Sequence, residues 1–293
     1  MLIHLAILAM LSLVTRLLGG SYLPGDNAAA DNPVVTFAAY RADDEKKPQE
    51  QADKEAQPPT ADELLTKLEK AGDNLHDLTA KVLYLKSDAL VGDEQRREGR
   101  LYFRVLRGKK NGKSTMQRQF AIEFTRRWID DREESDKRVY IFDGHWFVEK
   151  LPTEKQIFKR EVVAPGQTFD PMAIGEGPFP IPIGQKKSEI LANYTARVIA
   201  PGEGSLEDHT WHLQLVRKDE AKARLKVAQL DLWYLRQNLL PVQAEALDDA
   251  GNLTRINLAK IRQNVKPGDE HFDTTVPAEG WDVQITRWED RRG

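Results

Sequence analysis

Residues 138–162 read RVYIFDGHWFVEKLPTEKQIFKREV, and both faces of the hairpin they encode are apolar. Side chains alternate across a strand, so Val139 and Ile141 point one way and Tyr140 and Phe142 the other. A hairpin on a protein surface keeps one face wet. This one demands a neighbour on each side, which excludes a lone surface ribbon. Asp143-Gly144 supplies the turn between the first two runs, so Asp143 is read as a turn residue and not as a catalytic acid. The stretch LPTEK (residues 151–155) turns the chain again.

The same alternation recurs along most of the chain. Strands are expected at Lys81–Lys86, Gly99–Leu106, Gln119–Trp128, Arg138–Phe142, His145–Lys150 and Gln156–Val162. After a Gly- and Pro-rich break at Phe169–Gln185, others are expected at Tyr194–Ile199, Thr210–Lys218, Ala228–Leu235, Pro241–Asp248, Leu253–Gln263 and Asp282–Thr286. Ahead of them Thr60 stands at a helix-cap position. Leu64, Leu65, Leu68, Ala71, Leu75 and Leu78 follow at helical spacing, which predicts an amphipathic helix to about residue 77. Sequential strands with short turns argue for a meandering antiparallel sheet, curled or barrel-like, within one domain.

Counting faces shows where such a sheet would be greasy. Leu101, Phe103 and Val105 share one face of their strand, and Phe120, Ile122, Phe124 and Trp128 share one of theirs. Trp211, Leu213 and Leu215 oppose His212 and Gln214, while Leu230, Leu232 and Tyr234 oppose Gln229, Asp231 and Trp233. These sets predict a continuous aromatic-rich concave face with the leucine-striped helix laid on it. Such a face is read either as an ordinary core or as a pocket for an apolar ligand.

The flanks of this region are different. Leu2–Val14 is an apolar run shorter than the roughly 20 residues of a membrane-spanning helix, and Ala28-Ala29-Ala30 follows it. Residues 1–30 are therefore expected to be an export signal, or an inner-membrane tether if left uncleaved. Residues 31–59 are charged, Gln- and Pro-rich and read as a disordered linker; residues 60–286 form the domain and residues 287–293 a charged tail.

The chain has no cysteine, so disulfides and thiol chemistry are excluded. A net charge of -3 gives no sign of a nucleic-acid partner. His209 and His212 would point to opposite faces of a strand and do not make a metal pair. His145 flanks a turn. No phosphate loop or nucleophile elbow occurs, so neither an enzyme nor a cofactor or metal is expected.

The order of these pieces resembles the LolA-like superfamily of periplasmic outer-membrane lipoprotein carriers. The resemblance rests on the opening helix, on Gly99-Arg-Leu-Tyr-Phe103, on IFDGHWFVEKLPTEKQ (residues 141–156), on WHLQLVRK (211–218) and on the closing HFDTTVPAEGWDV (271–283). It covers roughly residues 60–286. It implies an unclosed, strongly curved antiparallel β-barrel, mostly β with covering helices, around a hydrophobic cavity.

The implied lining is Leu64, Leu65 and Leu68 from the helix, with Leu101, Phe103, Phe120, Ile122, Phe124, Phe142, Trp146, Trp211 and Leu213 from the sheet. It also implies a lid arginine, for which Arg104 and Arg107 are the counterparts here, although the family's proline is missing and the loop is longer. The implied partner is an acylated lipoprotein or lipid, passed from an inner-membrane donor to an outer-membrane acceptor by a monomeric periplasmic protein. A LolA-fold sensor or interaction module without a transport cycle, comparable to the periplasmic regulator RseB, is the alternative.

Overall fold

The computed structural model describes residues 58–110, 113–129, 132–163, 183, 186–200 and 209–292. The expected export signal, nearly all of the expected linker, the Asp130-Asp131 pair and, apart from Ile183, the proline-rich stretch 177–184 lie outside the described residues. Helix α1 spans Ala61–Asp73 and helix α2 Lys187–Asn193. The strands are β1 (Asp77–Ser87), β2 (Glu94–Lys110), β3 (Lys113–Ile129), β4 (Arg132–Phe142), β5 (Trp146–Leu151) and β6 (Gln156–Glu161). They continue as β7 (Tyr194–Ile199), β8 (Thr210–Arg217), β9 (Val227–Leu235), β10 (Pro241–Asp248), β11 (Leu253–Gln263) and β12 (Asp282–Thr286).

All twelve strands form one sheet in the order β12-β6-β5-β4-β3-β2-β1-β11-β10-β9-β8-β7. Every pairing is antiparallel except that of β12 with β6. Among the described residues the edge strands β7 and β12 do not pair with each other, so the curved sheet stays unclosed. This mostly β, unclosed architecture with helices is the fold class that the sequence leads one to expect.

Residues paired across strands point to the same side, and the register therefore traces each face. One continuous row runs Tyr140, Ile122, Leu101, Ala80 across β4, β3, β2 and β1. Another runs Tyr84, Ile256, Ala244, Leu232, Leu213, Val198 from β1 across β11, β10, β9 and β8 to β7. This apolar side is the inner face. Its N-terminal half packs Leu101, Phe103, Phe120, Ile122, Phe124 and Phe142 with Leu75, Val162, Val163 and Ile183. Its C-terminal half packs Leu213, Leu215, Leu230 and Leu232 against Leu64 and Leu65 of α1 and Ile190 of α2.

Helix α1 begins with a capping box. The Thr60 hydroxyl accepts from the Glu63 amide at 3.2 Å, and the Glu63 carboxylate accepts from the Thr60 amide at 2.9 Å. It ends at Asp73, four residues before the expected end. Gly72, Asp73 and Asn74 are weak helix formers, and Asp77 already opens β1. Leu75 and Leu78 are buried as the stripe predicts, but outside the helix. Helix α2 was not foreseen, because its seven residues carry too little periodic signal. The charged runs at Glu94–Arg97 and Arg132–Lys137 extend β2 and β4 beyond the expected ends. Cross-strand ion pairs such as Arg127–Glu134 at 2.8 Å take the place of apolar alternation there.

A bulge between Glu98 and Gly99 leaves Thr125 of β3 without a partner in β2. It reverses the alternation. Trp128, expected to face the same way as Phe124, pairs with Arg96 on the outer face and lies between the guanidinium groups of Arg96 and Arg126, 5.1 and 5.4 Å from the ring centre. Gly99 permits the bulge, because a Cβ there would sit 2.1 Å from the Glu123 carbonyl oxygen. Gly99→Ala is therefore expected to cost more than about 2 kcal/mol by forced repacking. The check is a lower urea midpoint at unchanged slope; an unaltered midpoint would show that the bulge yields freely.

Candidate functional site

The two apolar clusters of the inner face meet beside α1, and there the packing leaves a crevice of about 520 Å³, solvent at its mouth included. Leu65, Leu68, Ala71, Gly72 and Leu75 wall one side of it. Ile183 and Ile190 contribute from outside the sheet, and Tyr234, Asn238, Leu239, Leu240, Pro241 and Gln263 close the other side. The lining is mostly aliphatic.

The turn from β9 to β10 shapes that far wall. Leu239 has φ of 59°, a left-handed conformation that costs a leucine roughly 1 kcal/mol or more. The turn is held by the Leu239 amide donating to the Leu235 carbonyl at 2.9 Å and by the Leu240 amide donating to the Asn238 side chain at 3.1 Å. Strain of this kind is tolerated where the surroundings fix the turn. Here it brings two leucines to the crevice.

Among the described residues, polar ties hold both ends of α1. Lys187 of α2 forms an ion pair with Asp62 and donates to the Thr66 hydroxyl at 3.2 Å, joining α2 to α1. At the other end of α1, Arg107 donates to the Asp73 carbonyl at 2.5 Å and contacts His76 Nδ1 at 2.6 Å. A guanidinium on the last carbonyls satisfies acceptors that the helix leaves open and complements its dipole.

Away from the crevice the inner face is filled by aromatic rings. Tyr84, Phe124, Tyr140, Phe147, Phe120 and Phe142 form a chain of ring contacts with centroids 5.9 to 6.3 Å apart. Burial pushes the Tyr140 hydroxyl well up from its ordinary value and raises that of Tyr84 as well. Beyond the rings the buried pair Arg97–Asp136 (3.1 Å) and the pair Arg138–Glu149 (3.2 Å) end the apolar surface.

The residues expected from the sequence thus fall into three groups. Leu64, Leu65, Leu68, Trp211 and Leu213 share the cluster under the helices, and Leu101, Phe103, Phe120, Ile122, Phe124 and Phe142 share the adjoining one. Trp146 lies on the outer face with Lys159 4.9 Å from its ring centre. The residue beside it, Phe147, pairs with Phe142 on the inner face. Only Leu65 and Leu68 of the expected lining border the crevice itself. The leucine pair before Pro241 was a signal available in the sequence, since two large apolar residues in a turn need a partner.

Arg104 is engaged elsewhere. It stands on the outer face, where its Nε donates to Gln119 at 2.7 Å, its guanidinium lies 4.0 Å over the Phe272 ring and it pairs with Asp269. The segment 269–288 is what covers Val139, Ile141 and Val148 on that side. Phe272 is buried among them, His271 stacks on Tyr102 at 3.6 Å, and the Thr274 hydroxyl donates to Asp143 at 2.7 Å. Both faces of the doubly apolar hairpin therefore have their neighbour. No group of His, Asp and Glu among the described residues could hold a metal ion, and no described helix is long and apolar enough to cross a membrane.

No protein-family model matches the chain, and no curated protein matches it in sequence. Solved structures do resemble it. An uncharacterized conserved protein from Thermus thermophilus is 14% identical over 78% of this chain and 98% of that one, with a TM-score of 0.40. A LolA superfamily protein from Nitrosomonas europaea is 12% identical over 74% of this chain and 98% of that one, with a TM-score of 0.32. The MucA/MucB complex of Pseudomonas aeruginosa matches at 14% identity over 73% of this chain and 61% of that one, with a TM-score of 0.36.

The clamp formed by the C-terminal segment gives a pH prediction. The Trp288 amide donates to Glu161 at 2.8 Å and, with His145 beside it, holds that carboxyl below its usual range; the Thr275 amide and hydroxyl do the same for Asp273. A depressed folded value means stabilisation present above the ordinary carboxylate range and lost as pH falls through the folded value. The Trp288 amide resonance should hold steady from pH 8 to about 5 and move only below about 4. A midpoint at or above the value of a free glutamate would contradict the assignment.

Proposed function

We propose that this chain is an exported, non-enzymatic carrier that shields the acyl chains of a lipoprotein or lipid between its covering helices and the inner face of the sheet. The observation that carries this reading is the mostly aliphatic crevice at the seam of the two inner-face clusters, walled by a helix that a few polar ties hold in place. An acyl chain enters beside Leu65 and Leu68 and extends along the inner face as α1 lifts, with Leu101, Phe103, Phe120, Ile122, Phe124 and Phe142 as its further lining. Arg107 is the latch, because it grips the end of the moving helix. The motif order described above points to the same cargo class and to delivery in the periplasm toward the outer membrane.

Magnitudes suit a shuttle. Burying roughly ten methylenes at ~0.8 kcal/mol each yields on the order of 8 kcal/mol, which corresponds to a dissociation constant near micromolar. Such affinity holds cargo in water and still releases it to an acceptor.

Delipidated protein should take up dansyl-undecanoic acid, or a diacylated peptide, saturably at one site. Leu68→Trp, which fills the crevice, should weaken uptake at least about tenfold without lowering the unfolding midpoint. Arg107→Ala should speed uptake and release together while leaving the fold intact. Absence of saturable uptake by the wild-type chain would favour the interaction module over the carrier.

A further inference from the structure

At one end of the sheet β1 stops short of its neighbours. It begins at Asp77, which pairs with Arg104 of β2, while β2 and β3 run on together to the pairing of Lys110 with Lys113. On the other flank β11 reaches Gln263, near the start of β1, and the chain continues through Asn264, Val265 and Lys266. Both extensions border the crevice. The Val105 amide donates to the His76 carbonyl at 2.7 Å, and Arg107 holds the Asp73 carbonyl between the crevice residues Gly72 and Leu75. Opposite them Gln263 itself lines the crevice, and the Val265 and Lys266 amides donate to Asp77 at 2.7 and 3.1 Å.

The two flanks share a composition and an exposure. Residues 104–118 and 260–266 include basic residues and no acid, in a chain of net charge -3. Large apolar side chains stand in water among them: Leu106 and Val265 are each 42% exposed and Met116 52%. Lys109, Arg262 and Lys266 are exposed beside them. Alternation from Phe103 and Phe120 puts Met116, Arg107 and Lys109 on the side that continues the inner face. Acids around the rim are engaged or screened. Asp77 is buried under the Val265 and Lys266 amides, Asp269 pairs with Arg104, Glu270 lies 3.8 Å from His271, and Asp73 has Lys70 one turn before it. Leu90 and Val91, beyond the other end of β1, are still more exposed, but their turn carries Asp88 and Asp93.

We propose that this rim lies on an anionic lipid bilayer, so that the crevice is presented to the membrane. The purpose of such docking rests on the carrier reading, because an acyl chain enters or leaves a bilayer; the docking itself does not. Exposed apolar side chains ringed by cations suit a lipid interface: Leu106, Met116 and Val265 enter the headgroup region while lysine and arginine stems reach the phosphates. Each Lys or Arg near such a surface strengthens the attraction about fivefold. The apolar residues stand on two flanks with β1 between them, strands about 10 Å apart. A fluid surface accommodates that spacing, whereas a protein partner needs a contact of fixed shape.

The chain has no cysteine, so a single introduced one can carry an environment-sensitive fluorophore. The full chain with Met116→Cys or Val265→Cys, labelled with a nitrobenzoxadiazole dye, is mixed with vesicles of phosphatidylglycerol and phosphatidylcholine, or of phosphatidylcholine alone. Lys137→Cys, exposed on β4 toward the other end of the sheet, is the control. Each dye reports its own surroundings, so lipid binding by the apolar run Leu2–Val14 does not imitate the result. The dye at 116 and at 265 is expected to shift to the blue and to be quenched by brominated lipid with the anionic vesicles only, and the dye at 137 to stay unshifted. In the chain labelled at 116, Lys109→Glu and Lys266→Glu should each lower the docked-to-free ratio about tenfold. Equal shifts at all three positions, equal shifts with uncharged vesicles, or no shift at 116 would overturn the proposal. A shift elicited by polyglutamate in place of vesicles would assign the rim to an acidic protein and overturn the bilayer. Leu68→Trp should leave the shift intact and the charge reversals should leave uptake of a soluble acyl probe intact, so docking and carriage can fail separately.

Discussion

Leu64 and Leu65 of α1 are buried against Leu213, Leu215, Leu230 and Leu232, and that contact closes the C-terminal half of the inner face. An apolar sheet face this wide cannot stay in water: each fully buried leucine contributes about 1.5–3 kcal/mol relative to exposure. A sheet that does not close on itself has no opposing strands to fill its interior. A helix with one leucine stripe is the economical cover, and the capping box at Thr60 secures its start. Together with Ile190 of α2, α1 packs on the C-terminal cluster, and the seam toward the other cluster is left imperfectly filled. The crevice lies where α1, α2 and the strained β9–β10 turn at Leu239 meet.

The outer face solves the opposite problem. Its N-terminal half is apolar and is sealed by the C-terminal segment through Phe272, the His271–Tyr102 stack and the Arg104–Phe272 contact. Its C-terminal half is polar and largely internally bonded. The molecule thus separates two kinds of surface by a single sheet. Apolar chemistry sits under the helices and directional hydrogen bonding sits behind it.

Sheet edges fit this division. β7 and β12 remain unpaired with each other, and the parallel strand β12 at one edge is short and carries the exposed Ile285. Short edge strands limit edge-to-edge association.

Local alternation settled much of this protein from the sequence alone. All twelve strands were legible, as were the hairpin at Asp143-Gly144, the leucine stripe and the need for cover on both faces of residues 139–142. Alternation says which residues face the same way within a strand; it does not say which face is inside. Tertiary contacts decided that. A one-residue bulge at Gly99 sent Trp128 outward, pairing with Phe142 put Phe147 rather than Trp146 inside, and Phe272, some 170 residues along the chain from Arg104, drew that arginine away from the helices. The crevice likewise arises between residues far apart in sequence. No local pattern encodes it, because it is made of what packing and pairing leave unfilled.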